Sequence, residues 1–255
     1  MPVEVAETSD DAVLGGRLTL RQPLRGHRIG HDGILLAAAT AAAAGTHAVD
    51  LGAGVGGAGL ALAHRIAGLA VTLVDIDPAL TALAKGNIER NGLADRLRVV
   101  CLDVEAPAAD FAAAGLTPGG AACVLMNPPF NVVQQPSPDR GRRIAHAASP
   151  ETLRRWLGTA ARLLGSDGAD TLVWRADGLA DVLAALALDF GAVTVRPVHP
   201  KPGAPAIRVL ARAIKSSRAP LTLLPGFVLA DADGKPSVQA EAVLRAGAEL
   251  AMKGN

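Results

Sequence analysis

Short continuous runs of apolar residues alternate with longer stretches of helical periodicity through most of the chain. The strand-like runs are HAVDLG, LAVTLVDID, LRVVCLD, AACVLM and ADTLVWR, which begin at residues 47, 69, 97, 121 and 169. Helical stretches lie between or after them, over Leu60–Ala67, Pro78–Asn91, Pro150–Leu164 and Leu179–Phe190. Apolar strands separated by helices are typical of a parallel sheet covered on both faces. The pattern predicts an α/β fold with a doubly wound, mostly parallel sheet of seven strands.

The two ends of the chain depart from this alternation. Residues 1–16 predict a flexible arm, and residues 17–45 predict an extended strand pair followed by a helix over Ile34–Ala44, capped by Asp32. The α/β core then occupies residues 46–255 of a single domain that spans 17–255. AVTVRPVH and AIRVLARAI, from residues 192 and 206, leave no room for a helix between them and predict antiparallel neighbours that include the last strand. An amphipathic helix is expected near Ser237–Ala251.

The composition indicates which residues form the core and whether a segment of the chain could cross a membrane. Half of the residues are apolar, aromatic residues make up 2%, and Tyr is absent, so the core must consist of Ala, Leu and Val. The longest apolar run, residues 34–44, is too short to cross a bilayer. The start of the chain lacks a basic segment followed by an apolar run. We therefore expect a soluble, cytoplasmic protein with no membrane partner, whose oligomeric state the sequence leaves open.

The cysteines, histidines and charged residues indicate which kinds of site the protein could have. Cys101 and Cys123 each lie in an apolar strand, which favours packed thiols over a disulfide or a metal site. The six histidines have no ligand spacing, so no metal is expected. The net charge is +1, but basic residues cluster without acids over residues 17–28 and 196–218. These segments are either solvated surface or the sides of a basic groove.

A glycine-rich segment, VDLGAGVGGAGLALA, includes the end of the first core strand. Five glycines occur within residues 52–59, more than a tight turn needs, and they would let the backbone approach a nucleotide-like ligand closely. Gly54, Gly56 and Gly59 satisfy the G-x-G-x-x-G fingerprint of dinucleotide-binding folds, and Asp75 follows where an acid would bind a ribose. The fingerprint alone leaves a dinucleotide and another adenosine-containing ligand as alternatives.

Three successive predicted strands end in an acid, at Asp50, Asp75 and Asp103. Because the carboxyl ends of parallel strands meet at one edge, these acids should share a ligand edge. A dinucleotide site has no need of Asp50, whereas an acid there suits a sulfonium ligand that carries an ammonium group. The series Asp-x-Gly-x-Gly-x-Gly that starts at Asp50 resembles the first motif of the class I S-adenosylmethionine (SAM) methyltransferases. The resemblance implies their Rossmann-like fold, with SAM as cofactor.

The fourth core strand ends in Asn127-Pro128-Pro129-Phe130. This resembles the [DNS]-P-P-[YFW] motif of methyltransferases that modify a planar amino nitrogen. Such a nitrogen is a poor nucleophile, because its lone pair is delocalised into the π system. The Asn127 side-chain oxygen and the Pro128 carbonyl, held rigidly by the prolines, could accept its two N–H groups and aim the lone pair at the methyl group. Phe130 could stack on the substrate, as flipped bases are held.

The element RIGHDGILLAAA, residues 28–39, resembles the TDGILL element of the bacterial tRNA1(Val) adenine N6-methyltransferase family. Members of that family modify the adenine just 3′ of the anticodon. SPDRGRRIAHA, residues 137–147, is similar to the family's variable basic loop, and residues 201–229 are similar to its C-terminal antiparallel strands. There Pro205 and Arg208 resemble the proline and the arginine of the family's corresponding segment. The resemblance covers about residues 17–250, although His31 stands where the family usually has Thr.

The resemblance implies a role for each matching residue. The cofactor-binding residues that it nominates are His31, Asp32, Asp50, Gly52, Gly54, Gly56, Asp75, Ile76, Asp103, Val104 and Asn127. The catalytic residues that it nominates are Asn127, Pro128, Pro129 and Phe130. The basic residues that could contact RNA phosphates are Arg140, Arg142, Arg143, Arg208 and Arg212.

The sequence therefore predicts a SAM-dependent N-methyltransferase that acts on adenine N6 in structured RNA, with tRNA as the expected partner. The same chemistry on a protein glutamine amide is an alternative. Those enzymes usually carry a helical N-terminal domain, for which the residues before the glycine segment leave little room. From another class, a nicotinamide-dependent oxidoreductase would explain the glycines but not residues 127–130.

Overall fold

The computed structural model describes residues 7–25, 28–129 and 150–253. Its strands are β1 Thr8–Val13, β2 Leu18–Pro23, β3 His47–Leu51, β4 Ala70–Asp75, β5 Leu97–Cys101, β6 Ala121–Met126, β7 Leu164–Arg175, β8 Phe190–His199, β9 Arg208–Lys215, β10 Thr222–Leu223 and β11 Phe227–Val228. Its α-helices are α1 His31–Ala39, α2 Gly57–Arg65, α3 Pro78–Arg90, α4 Ala108–Ala113, α5 Pro150–Leu163, α6 Leu179–Leu186 and α7 Val238–Ala240. Shorter turns are the 3₁₀ segments Leu14–Gly16 and Ala176–Gly178 and the π-helical Glu241–Arg245.

Nine of the strands within the described ranges form one sheet, in the order β10-β8-β9-β7-β6-β3-β4-β5, with β11 also paired to β8. The five strands from β3 to β7 run parallel to one another. β9 lies antiparallel between β7 and β8. The predicted doubly wound, mostly parallel α/β sheet with an antiparallel last long strand is confirmed. The two-residue strands β10 and β11 extend the seven long strands at the β8 edge.

The chain order reverses beside β3. From β3 the chain moves outward to β4 and β5, and then returns to the other side of β3 as β6 and β7. In open α/β sheets, ligands bind in the crevice that such a reversal leaves outside the carboxyl ends of the strands. Leu51 pairs with Met126 at the ends of β3 and β6, so Gly52 and Asn127 follow side by side at this crevice.

Two apolar clusters cover the two faces of the sheet. One packs under α1, α2 and α3, and the other packs under α5 and α6. Alternate residues of a strand face opposite sides, so Val124 joins the second cluster and its neighbour Leu125 joins the first. Both clusters are rich in Ala, Leu and Val, as the composition requires. No helix among the described residues is long and apolar enough to cross a membrane.

The N-terminal segment forms a hairpin where the sequence predicts a flexible arm. β1 pairs antiparallel with β2 from Thr8↔Pro23 to Val13↔Leu18. Buried residues alternate along β2, which gives this strand an inner face towards α3. The sequence of β1, TSDDAV, has no matching apolar alternation. Backbone pairing with β2, rather than burial of side chains, therefore accounts for most of the order of this strand. That one domain spans residues 17–255 stays a prediction.

Three predicted helices were wrong in extent. The helix expected over Leu179–Phe190 ends at Leu186, and Phe190 begins β8 instead. α1 ends at Ala39 rather than Ala44, because Arg65 donates to the carbonyl oxygens of Ala37 (2.8 Å) and Thr40. In the tail, helical structure stops at Arg245 rather than Ala251. The backbone N–H of Leu250 bonds to a carbonyl oxygen of α1 (2.9 Å) instead of continuing the helix.

Phe227 offers a test of the core at the β8 edge, since it is 0% exposed and belongs to the cluster under α1. We expect Phe227→Ala to lower the free energy of unfolding by about 3–5 kcal/mol, because a cavity remains and the burial of the ring is lost. Urea unfolding followed by circular dichroism measures this. Leu188→Ala is the control, because Leu188 is 67% exposed, and its effect should stay within about 0.5 kcal/mol. Equal losses would contradict the packing of β11.

Candidate active site

Asp50, near the end of β3, holds the start of α2. The residue is 2% exposed, and its Oδ2 accepts a hydrogen bond from the backbone N–H of Gly59 (2.8 Å). Burial raises the pKa of Asp50 to about 7; the Gly59 N–H opposes this rise, and the charge of Asp75 adds to it. A carboxylate bonded to a helix amide near the helix N-terminus is favourably placed, so Asp50 fixes the turn that carries the glycines.

The glycines turn the chain sharply over the crevice. Gly52, Gly54 and Gly56 have φ angles of +71°, +57° and +88°, which L side chains rarely adopt. A Cβ atom on Gly52 would also lie 2.5 Å from the indole of Trp156 in α5. Two independent constraints, backbone conformation and contact with α5, therefore require glycine at this position.

Asp75 joins the loops that follow β3 and β4. Its Oδ2 accepts from the N–H of Gly54 (2.7 Å), and its Oδ1 accepts from the N–H of Asp77 (2.9 Å). The next residue, Ile76, is 40% exposed although it is large and apolar. The crevice thus has a buried carboxylate and, beside it, an apolar side chain open to contact.

The loop after β5 also borders the crevice, next to the loops after β3 and β4. Asp103 is exposed and its Oδ1 accepts from the N–H of Glu105 (2.8 Å), whereas Val104 is buried. α5 holds this loop, because Thr159 donates its hydroxyl to Val104 O (2.9 Å) and Arg155 pairs with Glu105 (2.9 Å). The three acids thus lie at or just after the carboxyl ends of the neighbouring parallel strands β3, β4 and β5, at one edge as predicted from the sequence.

Asn127 lies beside Gly52 across the reversal of strand order. Its Oδ1 is buried and has no hydrogen-bond partner among the described residues. A buried amide oxygen without a partner costs free energy unless a ligand or water completes it. Pro128 and Pro129 continue the corner without regular structure. Phe130, Arg140, Arg142 and Arg143 lie outside the described residues.

The element at residues 28–33 packs against the start of α2. A Cβ atom on Gly57 would lie 2.0 Å from Cδ1 of Ile29, which shows how closely the two segments approach. α1 begins at His31, and its N-cap is Gly30 without a side-chain hydrogen bond, so the prediction that Asp32 caps the helix was wrong. Asp32 instead accepts from Nε of Arg208 at the start of β9 (2.8 Å).

The two predicted RNA-binding residues of β9 have different surroundings. Arg208 stands at the carboxyl edge, paired with Asp32. Arg212 lies four residues further along the strand, about 13 Å away at the usual strand rise. Its Nε is buried without a partner among the described residues, and burial lowers its pKa. Arg212 therefore sits against the sheet, remote from the crevice.

The described ranges contain no group of three or more His, Cys, Asp or Glu side chains that could hold a metal ion. Cys123 is buried as predicted, and burial raises the pKa of its thiol to about 12. Cys101 is exposed rather than packed, because its side chain faces out from the end of the edge strand β5.

Comparison with known proteins agrees with this geometry. The family model described as the methyltransferase small domain matches residues 29–196. The chain belongs to this family. It is 29% identical to a tRNA1(Val) (adenine(37)-N6)-methyltransferase of Phocaeicola vulgatus over 72% of this chain and 75% of the relative. It is 30% identical to the protein of that name from Bacteroides thetaiotaomicron, with the same coverage.

A crystal structure of a predicted O-methyltransferase from Agrobacterium tumefaciens superposes on this methyltransferase with a TM-score of 0.74. The two chains are 28% identical, and the match covers 86% of this chain and 98% of the other. The resemblance drawn from the sequence is confirmed, and SAM is the cofactor of this methyltransferase. The nicotinamide-dependent alternative is thereby removed.

The residues at the crevice fit SAM. Left-handed glycines admit a ligand close to the backbone, and Asp75 lies where ribose hydroxyls could donate, since a carboxylate oxygen accepts more than one hydrogen bond. Exposed Ile76 suits the face of an adenine. Beside Gly52, the Asn127 Oδ1 has no donor within the described ranges, so it could accept a hydrogen bond from a ligand at this end of the crevice. The individual contacts with the cofactor stay predictions.

Trp156 and Arg155 are parts of the site that sequence reasoning missed. Both lie on α5, and they contact the loops after β3 and β5 respectively. A tryptophan in a chain that is 2% aromatic is the only signal that could have drawn attention to this helix. It does not reveal which glycine the ring covers.

The burial of Asp50 predicts a pH dependence of stability. Its pKa, about 7 in the folded protein, lies above the ordinary value of 3.8, so the folded state binds the proton more tightly. The stability from this proton is full below about pH 4 and is lost as the pH rises to about 7, at up to about 1.4 kcal/mol per pH unit. Asp50→Asn should remove this slope while keeping an oxygen that accepts from Gly59.

Unfolding by urea at several pH values between about 4 and 8 measures the difference between the two proteins. Burial also raises the pKa of Asp170. Asp170 is present in both proteins, so its contribution to the pH dependence of stability cancels in the comparison. Parallel stability curves for the two proteins would contradict the raised pKa of Asp50.

Proposed function

We propose that this methyltransferase transfers the methyl group of SAM to the exocyclic N6 of an adenine in tRNA. The observation that carries the proposal is the buried Oδ1 of Asn127, which has no hydrogen-bond partner among the described residues and lies at the crevice beside Gly52. An acceptor in that position suits a substrate that presents an N–H group. A hydroxyl substrate would offer one hydrogen to this site, and an amino group offers two.

The proposed chemistry needs little beyond positioning. SAM supplies an activated methyl group on a sulfonium sulfur. Asn127 Oδ1 accepts one N–H of the amino group, and the Pro128 carbonyl accepts the other, so that the nitrogen lone pair turns out of the ring plane. Methyl transfer would form the new C–N bond, leave the electron pair of the broken C–S bond on sulfur, and release a proton from the nitrogen to water. Fixed acceptors in a crevice act mainly by orientation and electrostatics.

The choice of tRNA rests on relatives and on charge. Curated relatives at about 30% identity over most of the chain are named tRNA1(Val) (adenine(37)-N6)-methyltransferases. The arginines at 140, 142 and 143, which lie outside the described residues, follow the corner closely in sequence and could supply phosphate contacts. Arg208 stands on the same edge as the corner, whereas the buried setting of Arg212 makes it a poor candidate for RNA contact.

Replacing Asn127 tests the catalytic role. We expect Asn127→Ala to lower kcat by about a hundredfold or more, because one acceptor for the amino group is lost in the transition state. The dissociation constant for SAM, measured by calorimetry, should change by less than about threefold, since the loop after β3 is untouched. Asn91→Ala is the control, because Asn91 lies on the surface of α3 towards β2 and away from the crevice. Unchanged turnover in Asn127→Ala would refute the role.

The substrate is tested with labelled SAM and total RNA or total protein from a strain that lacks the enzyme. We expect label in tRNA that co-migrates with N6-methyladenosine after digestion to nucleosides. Label in protein but not in RNA would reject the tRNA assignment and favour the glutamine alternative. Methylation of a ribose hydroxyl in the same digest would reject amino-nitrogen chemistry.

A further inference from the structure

Asn87, in the middle of α3, is 0% exposed and has all of its hydrogen-bonding groups engaged. Its Oδ1 accepts from the backbone N–H of Arg21 in β2 (2.7 Å), and its Nδ2 donates to the carbonyl oxygen of Arg21 (3.0 Å). The same Nδ2 donates to the carbonyl oxygen of Val55 (3.0 Å). One buried amide thus ties the N-terminal hairpin to the glycine loop.

The hydrogen bond from Asn87 to the Val55 carbonyl oxygen matters because Val55 belongs to the glycine loop. Val55 lies between Gly54 and Gly56, both of which have left-handed backbone conformations. On the other side, Asp75 holds the N–H of Gly54. The backbone of the loop is therefore held from two sides, by a carboxylate from β4 and by an amide from α3. Asn87 also bonds to the hairpin.

The hairpin meets the glycine loop at a second place. Gln22 of β2 is 2% exposed, and its Oε1 accepts from the N–H of Ile29 (2.7 Å). Ile29 in turn fills the space over Gly57, at the start of α2. The hairpin therefore supports the loop through Asn87 and supports the start of α2 through Ile29.

Asn91, one turn further along α3, provides a natural comparison. Its Oδ1 accepts from the N–H of Thr19 (3.0 Å), and its Nδ2 donates to the carbonyl oxygens of Thr19 (2.9 Å) and Asn87 (2.7 Å). Asn91 binds the same strand of the hairpin with the same chemistry. Within the part of the chain that the structure describes, Asn91 makes no hydrogen bond to the glycine loop.

We propose that Asn87 is a positioning residue for the cofactor site, which couples the order of the N-terminal hairpin to the binding of SAM. A fixed Val55 carbonyl keeps the left-handed glycines in the conformation that admits the ligand. Because the two equilibria are linked, SAM binding stabilises the hairpin by the same free energy by which the ordered hairpin strengthens SAM binding. The inference rests on SAM as cofactor and not on the proposed tRNA substrate, so either can fail without the other.

The first test compares Asn87→Asp with Asn91→Ala in the full chain. Asp keeps an oxygen that accepts from Arg21 N–H, but places another oxygen against the carbonyl oxygens of Arg21 and Val55. We expect Asn87→Asp to weaken SAM binding by about tenfold or more in calorimetry, while Asn91→Ala changes it by less than about threefold. KM for SAM should rise while kcat at saturating SAM stays within about threefold. Equal effects of the two variants on SAM affinity, at matched melting temperatures, would overturn the proposal.

The second test needs no variant and remains decisive if Asn87→Asp does not fold. Amide hydrogen exchange of the unmodified protein is measured with and without SAM. We expect SAM to slow exchange about tenfold at Arg21, whose N–H group bonds to Asn87. Ala192, bonded to Ala219 at the far edge of the sheet, is the control and should not change. Slower exchange at Gly54 and Gly56 without any change at Arg21 would overturn the coupling.

Discussion

The site depends on buried carboxylates that hold backbone amides of the glycine loop. Asp50 accepts from Gly59 and Asp75 accepts from Gly54, so the two ends of the loop are tied to neighbouring parallel strands. Burying a carboxylate is costly unless it is hydrogen-bonded, and these amides offset part of that cost. At Asp50 burial outweighs the Gly59 bond and raises the pKa to about 7. The left-handed glycines between the two anchors then have little freedom. Because β6 returns beside β3, Asn127 reaches the same crevice.

The supports of this loop come from parts of the chain that lie far apart in sequence. α5 covers Gly52 with Trp156 and holds the loop after β5 through Thr159 and Arg155. α3 holds Val55 from the opposite side through Asn87. The cofactor edge is therefore clamped between helices from both faces of the sheet. Such a clamp fixes loops that would otherwise have few buried apolar contacts of their own.

Much of the fold and of the candidate site could be predicted because the signals are local. Apolar runs separated by helical stretches indicate a parallel sheet, and strand ends followed by Asp50, Asp75 and Asp103 indicate its ligand edge. The N-terminal hairpin could not be predicted in the same way, since β1 has no apolar alternation. The end of α1 was also missed, because Arg65 competes for its last carbonyl oxygens from another helix.

The sequence by itself determined the α/β class and the Asn-Pro-Pro corner, because periodicity and short motifs are properties of neighbouring residues. The cofactor followed from the resemblance of those motifs to a known family. Only the tertiary structure decided that Asp32 pairs with Arg208, 176 residues away, instead of capping α1. It also decided that Asn87 joins the hairpin to the glycine loop and that Arg212 lies against the sheet. Long-range pairings depend on which surfaces the packed helices bring together, and no local pattern records that choice.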